Sequence, residues 1–155
     1  MEMKGEQLIA LPQQETWRAL NDPEILKACI PGCDAMDKQS DTEYHIRMKL
    51  KIGPVNAKFN GKLLLADLDP PHAYSLAFEG QGGVSGFGNG AAQVRLEPAD
   101  TGTLLTYTVK AIVGGKIAQV GSRLIDGVAK KLADKFFKDF NKRVSAGTAT
   151  AEKED

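Results

Sequence analysis

Thr42-Glu43-Tyr44-His45-Ile46-Arg47-Met48-Lys49-Leu50-Lys51-Ile52 alternates without a break. Tyr44, Ile46, Met48, Leu50 and Ile52 fall on one side, and His45, Arg47, Lys49 and Lys51 on the other. Successive side chains of a strand point to opposite faces, so this period of two predicts a strand with one dry face and one wet face. A half-polar strand belongs to an antiparallel sheet that is solvated on one side.

The pattern repeats on the C-terminal side. After a turn at Gly53-Pro54, Ala57, Phe59, Gly61, Leu63 and Leu65 share a face opposite Asn56, Lys58, Asn60 and Lys62. Pro70-Pro71 ends that run. Tyr74, Leu76 and Phe78 share the next inward face, Val94 and Leu96 the one after, and Leu105, Tyr107, Val109 and Ala111 the last. Upstream, residues 2–11 read as a first strand stopped by Pro12. Gln13 to Leu20 reads as a short helix with Trp17 and Leu20 on one face. Asp22 is a good N-cap for a second helix, with Pro23 where a missing N–H does no harm. That helix carries Ile25, Leu26 and Cys29 and stops at Pro31-Gly32.

From Lys116 to about Ser145 the period changes. Ile117, Gly121, Leu124, Val128, Leu132, Phe136 and Phe140 recur at helical spacing, which predicts one amphipathic helix roughly 45 Å long. Residues 146–155 are small and polar and read as a disordered tail, leaving 1–145 as a single domain. The order is one strand, two short helices, about six further strands and a long helix. A sheet with one apolar face and a helix with one apolar stripe must cover each other. The expected fold is therefore α+β: a curved antiparallel sheet of about seven strands around a long C-terminal helix, a helix-grip architecture.

Composition excludes several classes. Twenty basic residues balance twenty acidic ones among 155, so the chain lacks the basic excess of a nucleic-acid binder. No segment reads as a signal peptide or a membrane span, and a cytoplasmic location is expected. Cys29 and Cys33 are too few for a disulfide scaffold or a thiolate metal site. His45 reads as a solvated surface residue and His72 as a turn residue, and neither has a visible orienting partner. Asp67 and Asp69 read as turn-formers. No catalytic residue and no metal ligand is expected.

Six glycines fall between Gly80 and Gly90. A phosphate cradle would need a helix N-terminus after them, whereas strands lie on both sides. Their phase points elsewhere. The inward face of Tyr74, Leu76 and Phe78 extends to Gly80 and Gly82; that of Val94 and Leu96 extends back to Gly90, Gly88 and Gly86. Gly61 is inward on its own strand. Interiors are packed to crystal-like density, so a wall of glycines implies space reserved for a ligand or, alternatively, bulges that let the sheet curve. On the long helix, Lys131, Lys135, Lys138 and Lys142 form a second stripe suited to a membrane or an acidic partner. The acid-first pairs Asp126–Lys130, Asp134–Lys138 and Asp139–Arg143 fit an ordinary solvated face equally well.

Asn21-Asp22-Pro23, Ile30-Pro31-Gly32-Cys33, Lys51-Ile52-Gly53-Pro54-Val55, Phe59-Asn60-Gly61, Asp69-Pro70-Pro71 and the run from Gly114 to Arg123 resemble the carbon monoxide dehydrogenase G-subunit family. The resemblance runs from about residue 1 to 145. It implies the START-like, birch-pollen-allergen superfamily and a non-enzymatic accessory protein of a molybdenum hydroxylase. It further implies a lipophilic cargo, a quinone or lipid, as the only bound group, and peripheral contact with the inner face of the membrane. Many members anchor through a C-terminal extension; the polar residues after Ala146 are not expected to do so. The expected cavity wall comprises Tyr44, Met48 and Leu50, then Phe59, Gly61 and Leu63, with Phe78 and Tyr107 on later strands. Gly86, Gly88 and Gly90 complete its sheet side, and Leu124, Val128 and Phe136 come from the helix. A polyketide cyclase or hydratase on the same fold is the alternative, with Tyr44, Tyr107 and Gln7 as its candidate polar groups. An assembly factor with an incidental cavity is a third.

Overall fold

The computed structural model describes the backbone of residues 1–154 and the side chains of 1–145; the tail expected at 146–155 falls outside the residues whose side chains are described. The elements follow in the order β1 (Glu2–Ile9), α1 (Gln13–Leu20), α2 (Pro23–Cys29), β2 (Cys33–Ser40), β3 (Glu43–Ile52), β4 (Val55–Asp69), β5 (Ala73–Gln81), β6 (Phe87–Ala99), β7 (Gly102–Gly114) and α3 (Ser122–Glu154). All seven strands form one antiparallel sheet in the order β1-β7-β6-β5-β4-β3-β2. β2 to β7 is a meander of hairpins. β1 closes the far edge, so α1 and α2 must carry the chain from one edge of the sheet to the other.

Local chemistry explains these junctions. The Asp22 carboxylate accepts from the Glu24 N–H at 2.9 Å, capping α2 just before Pro23. Thr16 and Thr103 are both fully buried, and both hydroxyls donate to the Leu11 carbonyl, at 3.1 and 2.7 Å. This ties the start of α1 to β7. The Asn141 amide donates to the Leu8 carbonyl at 3.1 Å and its oxygen accepts from the Ala10 N–H at 3.2 Å, fastening α3 to the end of β1.

The long helix differs from its expected extent. Lys116–Val120 is a short 3₁₀ turn, and α3 starts only at Ser122. Gly115 and Gly121 take φ values of 78° and 98°, left-handed conformations that interrupt an α-helix and that glycine adopts freely. Ile117, although in helical phase with Leu132, therefore reaches the interior from a separate turn.

The buried side chains do not form one continuous core. Ile9, Leu20, Cys29, Leu96, Leu105 and Phe140 make one cluster where α1, α2 and the end of α3 meet β1, β6 and β7. Ile52, Val55, Ala57 and Ile117 make a second at the opposite end. Met36, Tyr44 and Ile46 make a third under α2. A domain of this size usually has one contiguous core. Here the three clusters surround a gap.

Candidate binding cavity

The gap is a space between the concave face of the sheet and α3, partly open to solvent. Its upper lobe, toward the start of α3, measures about 390 Å³; its lower lobe, toward Phe136 and Phe137, about 360 Å³. Both lobes are bordered by Ile30, Met48, Leu63, Leu76, Ala129 and Leu132, which form the waist between them. Each lobe lies within the 300–1,000 Å³ of a small-molecule site. A wider space of about 720 Å³ is lined by Lys4, Glu6, Gln93, Arg95, Thr106 and Thr108 of the solvated face together with Tyr74, Val94 and Tyr107 of the same strands.

Glycines of three strands meet at the upper lobe. Gly61 pairs with Gly80, and Gly80 with Gly88, so the row crosses β4, β5 and β6. The three are glycines for different reasons. A Cβ on Gly61 would stand 2.7 Å from the Glu79 carbonyl oxygen, and one on Gly80 would make an ordinary contact at 3.4 Å. A Cβ on Gly88 would meet no heavy atom within 4 Å. At Gly88 the wall is open.

The other inward-phase glycines do not extend this opening. Gly90 is covered: a Cβ there would press on the Lys110 carbonyl and stand 2.6 Å from the Phe78 ring. Gly82 and Gly86 lie in the loop after β5, which ends at Gln81 before a 3₁₀ turn at Gly83–Ser85. Gly86 has φ of 114° and packs against the Gly114 carbonyl, so it serves a close approach of two chains. Neither Gly86 nor Gly90 borders either lobe.

Of the remaining wall residues, Leu50, Phe59, Phe78 and Val128 border the upper lobe, and Tyr44, Tyr107 and Phe136 the lower. Met48 and Leu63 border both. Leu124 borders neither; it is 39% exposed and leans over Gly53 at the β3–β4 turn. Its helical phase puts it on the side of Lys131 and Lys135, away from Leu132. All four lysines of the stripe are exposed, and the ion pair formed there is Lys135 with Asp139 at 3.0 Å, not one of the acid-first pairs.

The polar groups at the cavity are few. The Tyr44 hydroxyl donates to the Asn21 carbonyl at 3.0 Å. Tyr107 stacks on Phe137 with ring centroids 5.3 Å apart and turns its hydroxyl toward Gly5. Gln7 borders a separate space of about 330 Å³ between β1 and α3, not the lobes. Tyr74, which sequence reasoning placed inward but not at the site, borders the lower lobe and meets Trp17 of α1 edge-on at 5.2 Å. Burial raises the phenol pKa of all three tyrosines: Tyr44 with a smaller push from Asp41 and then Asp22, Tyr74 with one from Tyr44, and Tyr107 with one from Asp134. Contrary to expectation, His45 does have an orienting partner, Glu43 at 2.8 Å, but the pair lies on the convex face. Among the described residues, no group of three His, Cys, Asp or Glu side chains could hold a metal, and no helix is long and apolar enough to cross a membrane.

The sequence profile of the carbon monoxide dehydrogenase G-subunit family (CoxG) matches residues 5–145. A conserved protein from Geobacillus kaustophilus has a similar structure, with a TM-score of 0.88 and 35% identity over 94% of this chain and 96% of that one. A protein from Thermus thermophilus matches with a TM-score of 0.71 and 16% identity, over 95% of this chain and 99% of that one. One from Chromobacterium violaceum matches with a TM-score of 0.68 and 14% identity, over 91% and 95%. At that identity these two share the fold. No curated protein matches the chain.

Proposed function

The chain belongs to the carbon monoxide dehydrogenase G-subunit family, and on that premise we propose that it is a non-catalytic carrier within such an enzyme system. Its cargo is a lipophilic molecule of quinone or lipid type, held between the sheet and α3. The enzyme it serves is a molybdenum hydroxylase of the carbon monoxide dehydrogenase type. It works in the cytoplasm, in peripheral contact with the inner face of the membrane through Lys131, Lys135, Lys138 and Lys142.

One observation carries the cargo reading: the three core clusters stand apart around two joined apolar lobes, with no side chain at Gly88 where one would fit. A domain under selection for stability alone gains by filling such a space, since buried apolar area contributes about 25 cal/mol per Å². Space left unfilled at that cost is space kept for a guest.

Native mass spectrometry tests the reading directly. Protein purified without detergent is expected to carry an adduct with the mass of a quinone or lipid. Bare protein that also takes up neither class on incubation with vesicles containing them counts against it.

A further inference from the structure

The lower lobe contains one hydroxyl with no work to do in the fold. Tyr74 is 8% exposed, and its ring meets that of Trp17 edge-to-face with centroids 5.2 Å apart. Its neighbour Tyr44 is committed to the Asn21 carbonyl at 3.0 Å, and Tyr107 turns toward Gly5 and the β1 edge. The Tyr74 hydroxyl has no hydrogen-bond partner among the described residues. The phenol oxygen is not sealed off by the protein, so a guest that displaces solvent from it has to match its hydrogen bond. Buried tyrosine hydroxyls accordingly tend to find a partner. Burial keeps this phenol protonated, so it has a proton to offer to an acceptor.

The rest of the lining restricts that acceptor further. No Lys, Arg or His borders the lower lobe. A carboxylate or phosphate brought there would be desolvated without a counter-charge, which costs far more than a single phenol hydrogen bond returns. A neutral oxygen has no such penalty.

We propose that the lower lobe is a subsite for a neutral hydrogen-bond acceptor, a carbonyl oxygen on an otherwise apolar molecule, which accepts the hydroxyl proton of Tyr74. This rests on the carrier reading and sharpens it. The cargo enters with its carbonyl end toward Tyr74 and its hydrocarbon toward Gly88. Fatty-acid anions and phospholipid headgroups are excluded from the lower lobe.

The test compares 2-nonanone, nonane and nonanoate on the wild type and Tyr74→Phe, with Kd from headspace partitioning for the first two and equilibrium dialysis for the third. Tyr74→Phe should weaken 2-nonanone by about three- to tenfold, the range for one neutral hydrogen bond, and leave nonane unchanged. The infrared carbonyl band of bound 2-nonanone should sit at lower frequency on the wild type than on the variant. Nonanoate at neutral pH should bind the wild type more weakly than 2-nonanone. Nonane binding with a ketone affinity and carbonyl band indifferent to Tyr74→Phe overturns the subsite alone, as when a trapped water satisfies the phenol. Nonanoate binding as tightly as the ketone overturns the preference for a neutral group. Failure of the wild type to take up either nonane or the ketone overturns the carrier reading itself, and this inference with it.

Discussion

Tyr107 lies across Gly5 of the neighbouring strand: a Cβ on Gly5 would stand 2.6 Å from the Tyr107 hydroxyl oxygen and 2.8 Å from the carbon that bears it. The two residues are register partners at the β1–β7 edge. The absent side chain on β1 is what lets the phenol lie flat, stacked on Phe137 of α3 at 5.3 Å. Gly5→Ala therefore forces the ring out of its stack. We expect a loss of about 1–3 kcal/mol, the range for overpacking. In a Tyr107→Leu background the same change should cost little, because the atoms it collides with are gone. A double-mutant cycle by urea denaturation measures the coupling, and equal costs in both backgrounds would show that Gly5 serves some other purpose.

The tyrosines also set the behaviour in alkali. Tyr74 ionises at pH 10.0 when unperturbed, and burial raises that value in the folded protein. Above the unfolded pKa the unfolded chain gives up a proton that the folded chain retains. The unfolded state is thereby favoured, and stability falls as pH rises past about 10, at about 1.4 kcal/mol per pH unit for one fully retained proton. Below that pH the protonated phenol is the same in both states and contributes no slope. Tyr74→Phe should flatten this alkaline limb while leaving stability near neutrality almost unchanged. Denaturation midpoints between pH 8 and pH 11 decide it, and a variant as alkali-sensitive as the wild type places the titration on other groups.

The lysine stripe makes a separate prediction. Lys131, Lys135, Lys138 and Lys142 are all exposed, with Lys135 partly neutralised by Asp139 at 3.0 Å. If the stripe meets an anionic bilayer, each lysine contributes about 1 kcal/mol at low ionic strength, and added salt screens the attraction. Wild-type protein should sediment with phosphatidylserine vesicles, release as salt rises, and lose binding in the four-fold Lys→Gln variant. Equal sedimentation of the two proteins, or none by either, returns the stripe to an ordinary solvated helix face.

The sheet was legible because Tyr44 to Ile52 alternates strictly, and the two short helices because Asp22-Pro23 and Pro31-Gly32 punctuate them. Where local chemistry competes with periodicity, the reading slipped. Gly121 keeps the spacing of an apolar helix stripe, so the 3₁₀ turn before Ser122 is invisible to a pattern of 3.6. Leu124 shares that spacing yet drifts around the helix to the lysine side. Tyr74 falls on the inner face by its alternation, but its contact with Trp17 is made across the fold and leaves no mark in the local pattern. Gly88 and Gly90 are alike in phase, residue type and strand. They differ because Phe78 is the register partner of Gly90, whereas Gly80 is that of Gly88. A ring covers the first; nothing covers the second.

That difference gives two substitutions of opposite sign. Gly88 is not in a left-handed conformation, and its Cβ would enter open space. Gly88→Ala should raise stability by about 0.4–1 kcal/mol, because alanine reduces the freedom of the unfolded chain without strain in the folded one. Gly90→Ala puts its methyl against the Lys110 carbonyl and 2.6 Å from the Phe78 ring, with a main-chain neighbour, Ala111 Cα, at 2.9 Å. Neither the strand nor a ring held in the wall can give way freely, so a loss of about 1–3 kcal/mol is expected. The larger change Gly88→Val carries the comparison into function. Its branched side chain suits a strand, so the fold should hold, while its methyls occupy upper-lobe volume that a guest would need. Binding of a short-tailed quinone should fall at unchanged or raised Tm. Gly88→Val that melts early but binds normally in its folded fraction would mean that Gly88 bends the sheet, and that the opening beside it holds no guest.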